Sequence, residues 1–425
     1  MEPGGCVVLA MATTGIAANL LDLGRTFHSR LKAPLDPTED STLQIPFQSM
    51  TAELLRMAKA LVCDEATMLD NLQTGALDRS LRDIMQTPNT PFGGKVLIFS
   101  GDFRQCLPIV PGKSRAGIVQ HCLNQSPLWS CFTQLKLTKN MRVLTSGDEQ
   151  LADFDRWTLG IGNGEEAKVK IPEEMIATKI VPNSKSNHNS EGDAMKDFCG
   201  KIFPDLERNF NVPGFLDGRT LLATTNKEVD MLNDVVCSMM PGDGQVFKSS
   251  DELENSQDML RFNTEYLNSL KPGGFPPHSL ILKPMTPIML LRNLDPKNSL
   301  CNGTRMQFLD CLDNKVLRCK VLSNGKIVLI PRIVLIPKVN EYPFSWSRRQ
   351  FPVKICFACT INKSQGQTLK FAGLWLRSPA FTHGQLYVGV SRVGSADRLK
   401  FAVFKKDSNS LQEETDNIVF KEILI

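Results

Sequence analysis

Ala60-Leu-Val-Cys-Asp-Glu-Ala-Thr-Met68 is an apolar run that stops at two adjacent carboxylates, and a later run, Gly94-Lys-Val-Leu-Ile-Phe-Ser-Gly-Asp102, stops at Gly-Asp. Short apolar runs that end in polar turns, each with a helix-compatible stretch nearby, are the pattern of strands in a parallel α/β sheet. The same pattern appears in Cys6–Ala12, Ala60–Cys63 and Lys95–Ser100. Ligands in such sheets bind at the carboxyl ends of the strands. The polar clusters Thr13-Thr14-Gly15, Asp64-Glu65 and Gly101-Asp102 are therefore the candidate site.

Beyond residue 145 the pattern loosens. Gly160, Gly162 and Gly164 and the Asn/Ser-rich stretch 183–192 read as a helical and loop connector up to 218. A second α/β pattern starts at Arg219, where Thr220-Leu-Leu-Ala-Thr-Thr225 reads as a strand and Asn226 as the cap of the next helix. Residues 241–276 are rich in Gly, Ser and Asp. Residues 306–338 alternate as short antiparallel strands, Val316–Val321 and Lys326–Ile330, about an Asn324-Gly325 hairpin signal. A small β insert within a second α/β domain fits, with the α/β pattern resuming at 353.

Composition narrows the class. The 425 residues are 42% hydrophobic and 22% charged, as in a globular chain of two or three domains. The net charge of +4 neither demands nucleic acid nor excludes a locally basic groove. Twelve cysteines in a chain this long read as reduced thiols rather than a disulfide framework. The one close pair, Cys356-Phe-Ala-Cys359, lacks the second pair or histidines of a zinc site and also reads as part of a hydrophobic strand. Cys6–Leu21 is uncharged, but its acidic flank and its Thr13, Thr14, Gly15 and Asn19 do not suit a signal peptide or a membrane span. A soluble protein with no membrane partner is expected.

In nucleotide hydrolases an Asp at such a strand end holds Mg²⁺, and a neighbouring Glu acts as base toward water. Asp64 and Glu65 suit those roles, although an acidic helix cap produces the same dipeptide. Gln105, three residues after Asp102, suits a side chain that senses a terminal phosphate or orients water.

In this order the motifs resemble superfamily-one DNA helicases, and within them the Pif-one-like group, which includes the helicases of Helitron-type transposons. Thr13-Thr-Gly-Ile-Ala-Ala-Asn-Leu-Leu21 and Gly24-Arg-Thr-Phe-His-Ser-Arg30 resemble motif Ia and the element after it. Asp64-Glu65 resembles motif II, Gly101-Asp102-Phe-Arg-Gln105 motif III and Leu137-Thr-Lys-Asn140-Met-Arg142 motif IV. Thr360-Ile-Asn-Lys363-Ser364-Gln365-Gly366-Gln-Thr368 resembles motif V, and Gln385-Leu-Tyr387-Val-Gly-Val-Ser391-Arg392 motif VI, with Gly389 where Ala is usual.

The resemblance implies two RecA-like domains. Residues 1–145 form the first, 146–218 connect, and 219–240 plus 277–305 plus 351–425 form the second. An SH3-like β insert takes 241–276 plus 306–350. It implies an ATP-dependent 5′-to-3′ DNA helicase with ATP and Mg²⁺ as cofactors. Glu65, Asp64, Gln105, Arg142 and Arg392 would be catalytic, and Asp64 the metal ligand. Asp64, Gln105, Arg142, Gly366 and Arg392 would face the nucleotide, with Arg142 and Arg392 as arginine fingers. Thr14, His28, Lys363, Ser364 and Gln365 would face single-stranded DNA. Phe344, Trp346 and Phe351, interleaved with Arg348 and Arg349, suit either a base-stacking platform or, better, a buried aromatic cluster.

One family element has no counterpart. The Walker A loop, Gly-x-x-x-x-Gly-Lys-Ser/Thr, cradles the phosphates and completes the Mg²⁺ site. The chain starts a few residues before motif Ia, and Gly112-Lys113-Ser114 has Leu107 where the first Gly belongs. An N-terminally truncated helicase is expected, inactive as written, with apolar faces left exposed in its first sheet. The alternative is a non-enzymatic single-strand-binding or interaction remnant of a transposon helicase. The family's settings are DNA repair, recombination and telomere maintenance, in the nucleus or in mitochondria. Single-stranded DNA and duplex junctions are the expected partners of a monomer.

Overall fold

The computed structural model describes residues 6–146, 148–177, 191–255, 261–295, 298, 300–337, 341–404 and 412–424. The side chain of Arg142, residues 183–190 of the Asn/Ser-rich stretch and the first five residues lie outside the described set. The chain divides into two compact units, Met1–Lys179 with Thr360–Ile425, and Ile180–Cys359.

In the first unit, β1 (Val8–Ala12), β2 (Arg25–Thr26), β3 (Ala60–Asp64) and β4 (Val96–Phe99) form an all-parallel sheet in the order β2-β1-β3-β4. The run Leu61-Val-Cys makes β3 because it is flanked by strands on both sides, a setting that favours continuous apolar sequence. Leu9, Met11, Leu61 and Cys63 are buried beside Phe27, Leu55, Leu77 and Leu81. At the sheet edge β4 turns Val96 and Ile98 to solvent, 58% and 50% exposed. Thr14 caps α1 (Gly15–Leu20), accepting from the Ala17 N–H at 3.1 Å.

The later part of this unit adds a parallel pair, Phe371–Leu376 with Leu399–Val403. The last described segment, 412–424, runs across the unit as a strap. Glu414–Asp416 pairs antiparallel with Lys168–Lys170. The Asn417 amide donates to the Ile161 and Glu166 carbonyls, and Phe420 and Ile423 pack with Leu107 and Cys122. Arg115 grips Glu422 through two hydrogen bonds of 2.9 and 2.7 Å and lies over the Phe420 ring.

The second unit is largely antiparallel. Its five-stranded sheet runs in the order Ile327–Pro331, Val316–Val321, Arg305–Leu312, Pro287–Leu290, Val353–Ile355. The Asn324-Gly325 turn joins the first two, with Gly325 at φ 71° and the Asn324 side chain accepting from the Lys326 N–H. A second sheet joins Ile333–Leu335, Trp346–Gln350 and Ser250–Leu253. Arg219–Ala223 forms as expected, but the cap of the helix Asn226–Met239 is Thr225, not Asn226. The Thr225 backbone is extended, and its hydroxyl accepts from the Glu228 N–H while Glu228 accepts from the Thr225 N–H, a reciprocal capping box.

Phe344, Trp346 and Phe351 are buried, so the cluster reading holds over the stacking platform. Cys356 and Cys359 are buried too, and among the described residues no three His, Cys, Asp or Glu side chains could share a metal ion. No described helix is long and apolar enough to cross a membrane.

Arg348 and Asp251 form an ion pair in which both side chains are 0% exposed. The guanidinium meets both Asp251 oxygens, at 2.9 and 2.6 Å, and the Leu267, Leu270 and Pro276 carbonyls at 3.0–3.2 Å. All five N–H donors of an arginine have acceptors there. Removing one partner strands a buried charge, which costs about 3–5 kcal/mol. Asp251→Ala is therefore expected to lower the unfolding free energy of this unit by about 3–5 kcal/mol in urea denaturation; a loss under about 1 kcal/mol, the scale of an exposed pair, contradicts this account.

Candidate active site

The candidate site sits where β3 ends. Asp64 Oδ1 accepts from Ser100 Oγ at 2.6 Å and from the Glu65 N–H at 2.9 Å, which fixes the carboxylate at the strand end. Glu65 then takes a left-handed conformation, φ 53° and ψ 34°, uncommon for a residue with a side chain. Neighbours hold it there. Thr13 Oγ1 donates to the Glu65 carbonyl at 2.7 Å, and the Ala66 N–H reaches the Ser100 carbonyl.

The Glu65 side chain turns inward and is 8% exposed. Its Oε2 accepts from Gln365 Nε2 at 2.9 Å. Burial pushes the Glu65 carboxyl above the usual range; the Gln365 amide pulls it back, the Asp64 charge raises it and Arg392 lowers it. A carboxyl raised in this way accepts a proton more readily than an exposed one.

The Gly101–Pro108 loop forms a second wall. Gly101 lies against Thr67, where a Cβ would stand 2.9 Å from its methyl carbon. Asp102 accepts from the Arg104 N–H and from the Tyr387 hydroxyl, each at 3.0 Å. Burial, reinforced by the Asp102 charge, pushes the Tyr387 phenol well above its usual range. Gln105 is half-buried, and its Oε1 is buried without a hydrogen-bond partner.

The third wall comes from residues 361–392. Gly366, at φ 77°, packs against Ala17 and Glu65, where a Cβ would lie 3.4 Å from the Ala17 methyl. Arg392 is buried; its guanidinium donates to the Val388, Gln367 and Ser364 carbonyls and to Ser391 Oγ. The helix Gln385–Val390 carries Gly389, where a Cβ would stand 2.8 Å from Leu374 Cδ2. The buried Leu374 thus occupies the space that an Ala there would need.

The structure brings Asp64, Glu65, Gln365, Gly366 and Arg392 together, and links Asp102 of the Gln105 loop to Tyr387. The proposed DNA-facing residues divide. Lys363 is exposed. Ser364 and Gln365 are fully buried, with Ser364 Oγ on the Ile361 carbonyl and the Gln365 amide on Glu65. The Thr14 hydroxyl caps α1. His28 is half-buried with its Nε2 2.7 Å from Gln73 Nε2, and burial lowers its pKa. Arg142 lies in the helix Met141–Ser146, its side chain outside the described set.

Sequence reading placed Thr13 in a candidate cluster but missed Ser100 and His383 as parts of this site. His383 is buried and links the strap to the Gln105 loop: its Nδ1 accepts from the Phe420 N–H, and its Nε2–H donates to the Phe103 carbonyl, each at 2.7 Å. No local motif marks it.

Two family models match the chain: PIF1-like helicase over residues 1–171, and the 2B domain of DNA helicase Pif1 over residues 265–311. The chain is 26% identical over 418 residues to an ATP-dependent DNA helicase PIF1 of Danio rerio, covering 97% of this chain and 56% of that protein. It is also 26% identical over 394 residues to the Pif1 of Bdellovibrio bacteriovorus, covering 92% of this chain and 76% of the other. Among solved structures, Bacteroides Pif1 bound to single-stranded DNA matches with a TM-score of 0.66 at 21% identity, covering 95% of this chain and 84% of that one. Pif1 helicase from Candida albicans matches with a TM-score of 0.60 at 23% identity, covering 95% and 86%. These two likenesses establish the fold. The chain spans little more than half the length of the Danio rerio relative.

Burial holds the His383 pKa below its ordinary 6.5. The unfolded chain therefore takes up the proton first, so the stability this residue contributes is complete above pH 6.5 and is lost as pH falls below it. Wild-type protein is expected to lose thermal stability between about pH 7 and 5, and His383→Asn to lose less over that range. Thermal midpoints across pH measure this; equal slopes for both proteins contradict it.

Proposed function

Because the chain belongs to the PIF1-like helicase family, we propose that it is the motor region of an ATP-dependent DNA helicase of 5′-to-3′ type. One observation supports this above the others: the Glu65 carboxylate, just past the end of β3, is bonded to the Gln365 amide from the segment that resembles the family's motif V. A link between that segment and the hydrolytic carboxylate is what a translocating motor needs.

In this proposal Glu65 accepts a proton from the attacking water, for which its burial suits it. Asp64 would hold Mg²⁺, an ion that typically takes one or two protein carboxylates. What the described residues supply toward it is the Asp64 carboxylate, held at its other oxygen by Ser100 and the Glu65 N–H. When bound, Mg²⁺ neutralises charge developing on the phosphates. Gln105 orients water through its unpartnered Oε1, an acceptor, or senses a phosphate by donating its amide N–H. Arg392 and Arg142 stabilise transition-state charge, and Arg392 must first exchange some of its present carbonyl contacts. Lys363 supplies a cation to the DNA backbone. Repair, recombination and telomere maintenance, nuclear or mitochondrial, are the settings we propose, with single strands and duplex junctions as partners of a monomer.

A second reading rests on the DNA-facing segment alone, where Lys363 is exposed. A single-strand-binding protein without turnover would carry the same DNA face. Fluorescence anisotropy with labelled oligo-dT, and thermal shift with Mg-ATP, separate the two. Binding plus a clear Mg-ATP stabilisation supports the motor; binding with no nucleotide shift supports the second reading. No binding to single strands overturns both. Lys363→Ala is expected to weaken binding and to reduce the slope of log K against log salt by about 1.

A further inference from the structure

The geometry points to Gln365 as a positioning residue that sets the orientation of the Glu65 carboxylate according to the state of the Lys363–Gln367 segment, rather than as a direct contact to DNA. This rests on the motor reading above and assigns the means by which its two halves communicate.

Gln365 is 0% exposed, so its amide has no route to a backbone phosphate in this conformation. Its Nε2 is instead 2.9 Å from Glu65 Oε2. Among the described residues no other side chain donates a hydrogen bond to that carboxylate. The amide's Oε1 is buried without a partner, so the Glu65 contact is the one that fixes the amide plane.

The backbone around Gln365 is held at defined points. Arg392 reaches the Ser364 and Gln367 carbonyls, at 3.4 and 3.0 Å. Gly366, at φ 77°, lies against Ala17 and 3.7 Å from Glu65 Oε1, measured to the place a Cβ would take. On the outer side of the same turn Lys363 is exposed, its carbonyl accepting from the Gln367 amide at 3.0 Å. A phosphate drawn to Lys363 therefore pulls on a short, tightly bonded turn whose inner side chain ends on Glu65. On its side, Glu65 sits in a left-handed conformation within a turn held by Thr13. Displacing the amide would release the carboxylate without altering the strand beneath it.

A charge swap tests the assignment in the full chain, read as oligo-dT affinity by anisotropy, with the thermal midpoint measured for every variant. Gln365→Glu sets two carboxylates against each other and should weaken oligo-dT binding about tenfold, the scale of coupling between directly bonded side chains. Combining it with Glu65→Gln rebuilds the amide–carboxylate pair in reverse and should bring affinity back to within about threefold of wild type. If Gln365 touched DNA, the new carboxylate at 365 would repel phosphate whatever stood at 65, and the double variant would stay weak; that result overturns the inference. So does a Gln365→Glu variant that binds as tightly as wild type, which would leave Gln365 a packing residue. Should Gln365→Glu alone fail to fold, Gln365→Asn, too short to reach Glu65, replaces it. Its 361–368 amides should then exchange hydrogen faster than wild type, and unchanged exchange counts against the link. Wild-type protein that binds no oligo-dT overturns the motor reading and this inference with it, an outcome distinct from binding that the swap leaves weak.

Discussion

Removing a carboxylate from water at the end of a strand is costly unless something charged or polar meets it. The first unit is organised around that constraint at Glu65. The left-handed turn that aims the side chain inward is held by Thr13 and by the Ala66 bond to Ser100. The carboxylate meets one amide, that of Gln365, and feels the charge of Arg392 nearby. The Glu65 and Gln365 segments are separated by about three hundred residues of sequence, so their bond exists only when both parts of the unit are in place.

The second unit handles a buried charge in the opposite way. Arg348 has every N–H satisfied, by Asp251 and by three carbonyls, and nothing in that arrangement is left to react. Glu65 keeps one donor, a raised pKa and a strained backbone. Full satisfaction suits a group that only holds structure, whereas a buried, partly satisfied group with a shifted pKa is a candidate for function. The same contrast separates Gln350, whose amide bonds the Phe247 and His278 carbonyls and whose carbonyl accepts from Arg332 and Phe351, from Gln105 and Gln365, each with an orphaned oxygen.

What could be read in the sequence was whatever local pattern determines. The parallel strands β3 and β4, the Asp-Glu at the strand end and the Asn324-Gly325 hairpin each follow from a few adjacent residues. The cap of the helix at 226 slipped by one residue, because the reciprocal bond with Glu228 favours Thr225 and two neighbouring candidates cannot be told apart by type alone. His383 and Ser100 were not legible, since their roles come from Phe420, Phe103 and Asp64, partners remote in sequence or on a neighbouring strand. Gln365 was found as a motif residue, but burial decides what its amide can touch, and burial is a property of the whole unit. The aromatic cluster at 344–351 resolved toward packing because Trp346 stands beside a paired arginine rather than an open face.

The discontinuity of the first unit also has a consequence for how the chain is made. The second unit is one unbroken stretch, Ile180–Cys359, while the first needs Thr360–Ile425 to close it. At about 5–20 residues per second, the ribosome takes roughly 10–50 s to pass from residue 180 to 425. Through that interval Phe103, Leu107 and the Glu65 turn wait for the partners that arrive last, His383, Gln365 and the strap at 412–424. The second unit can reach its fold while the first is still open. Residues 360–424 thus complete the first unit only after the second has been made, and the Glu65 carboxylate lacks its Gln365 partner until then.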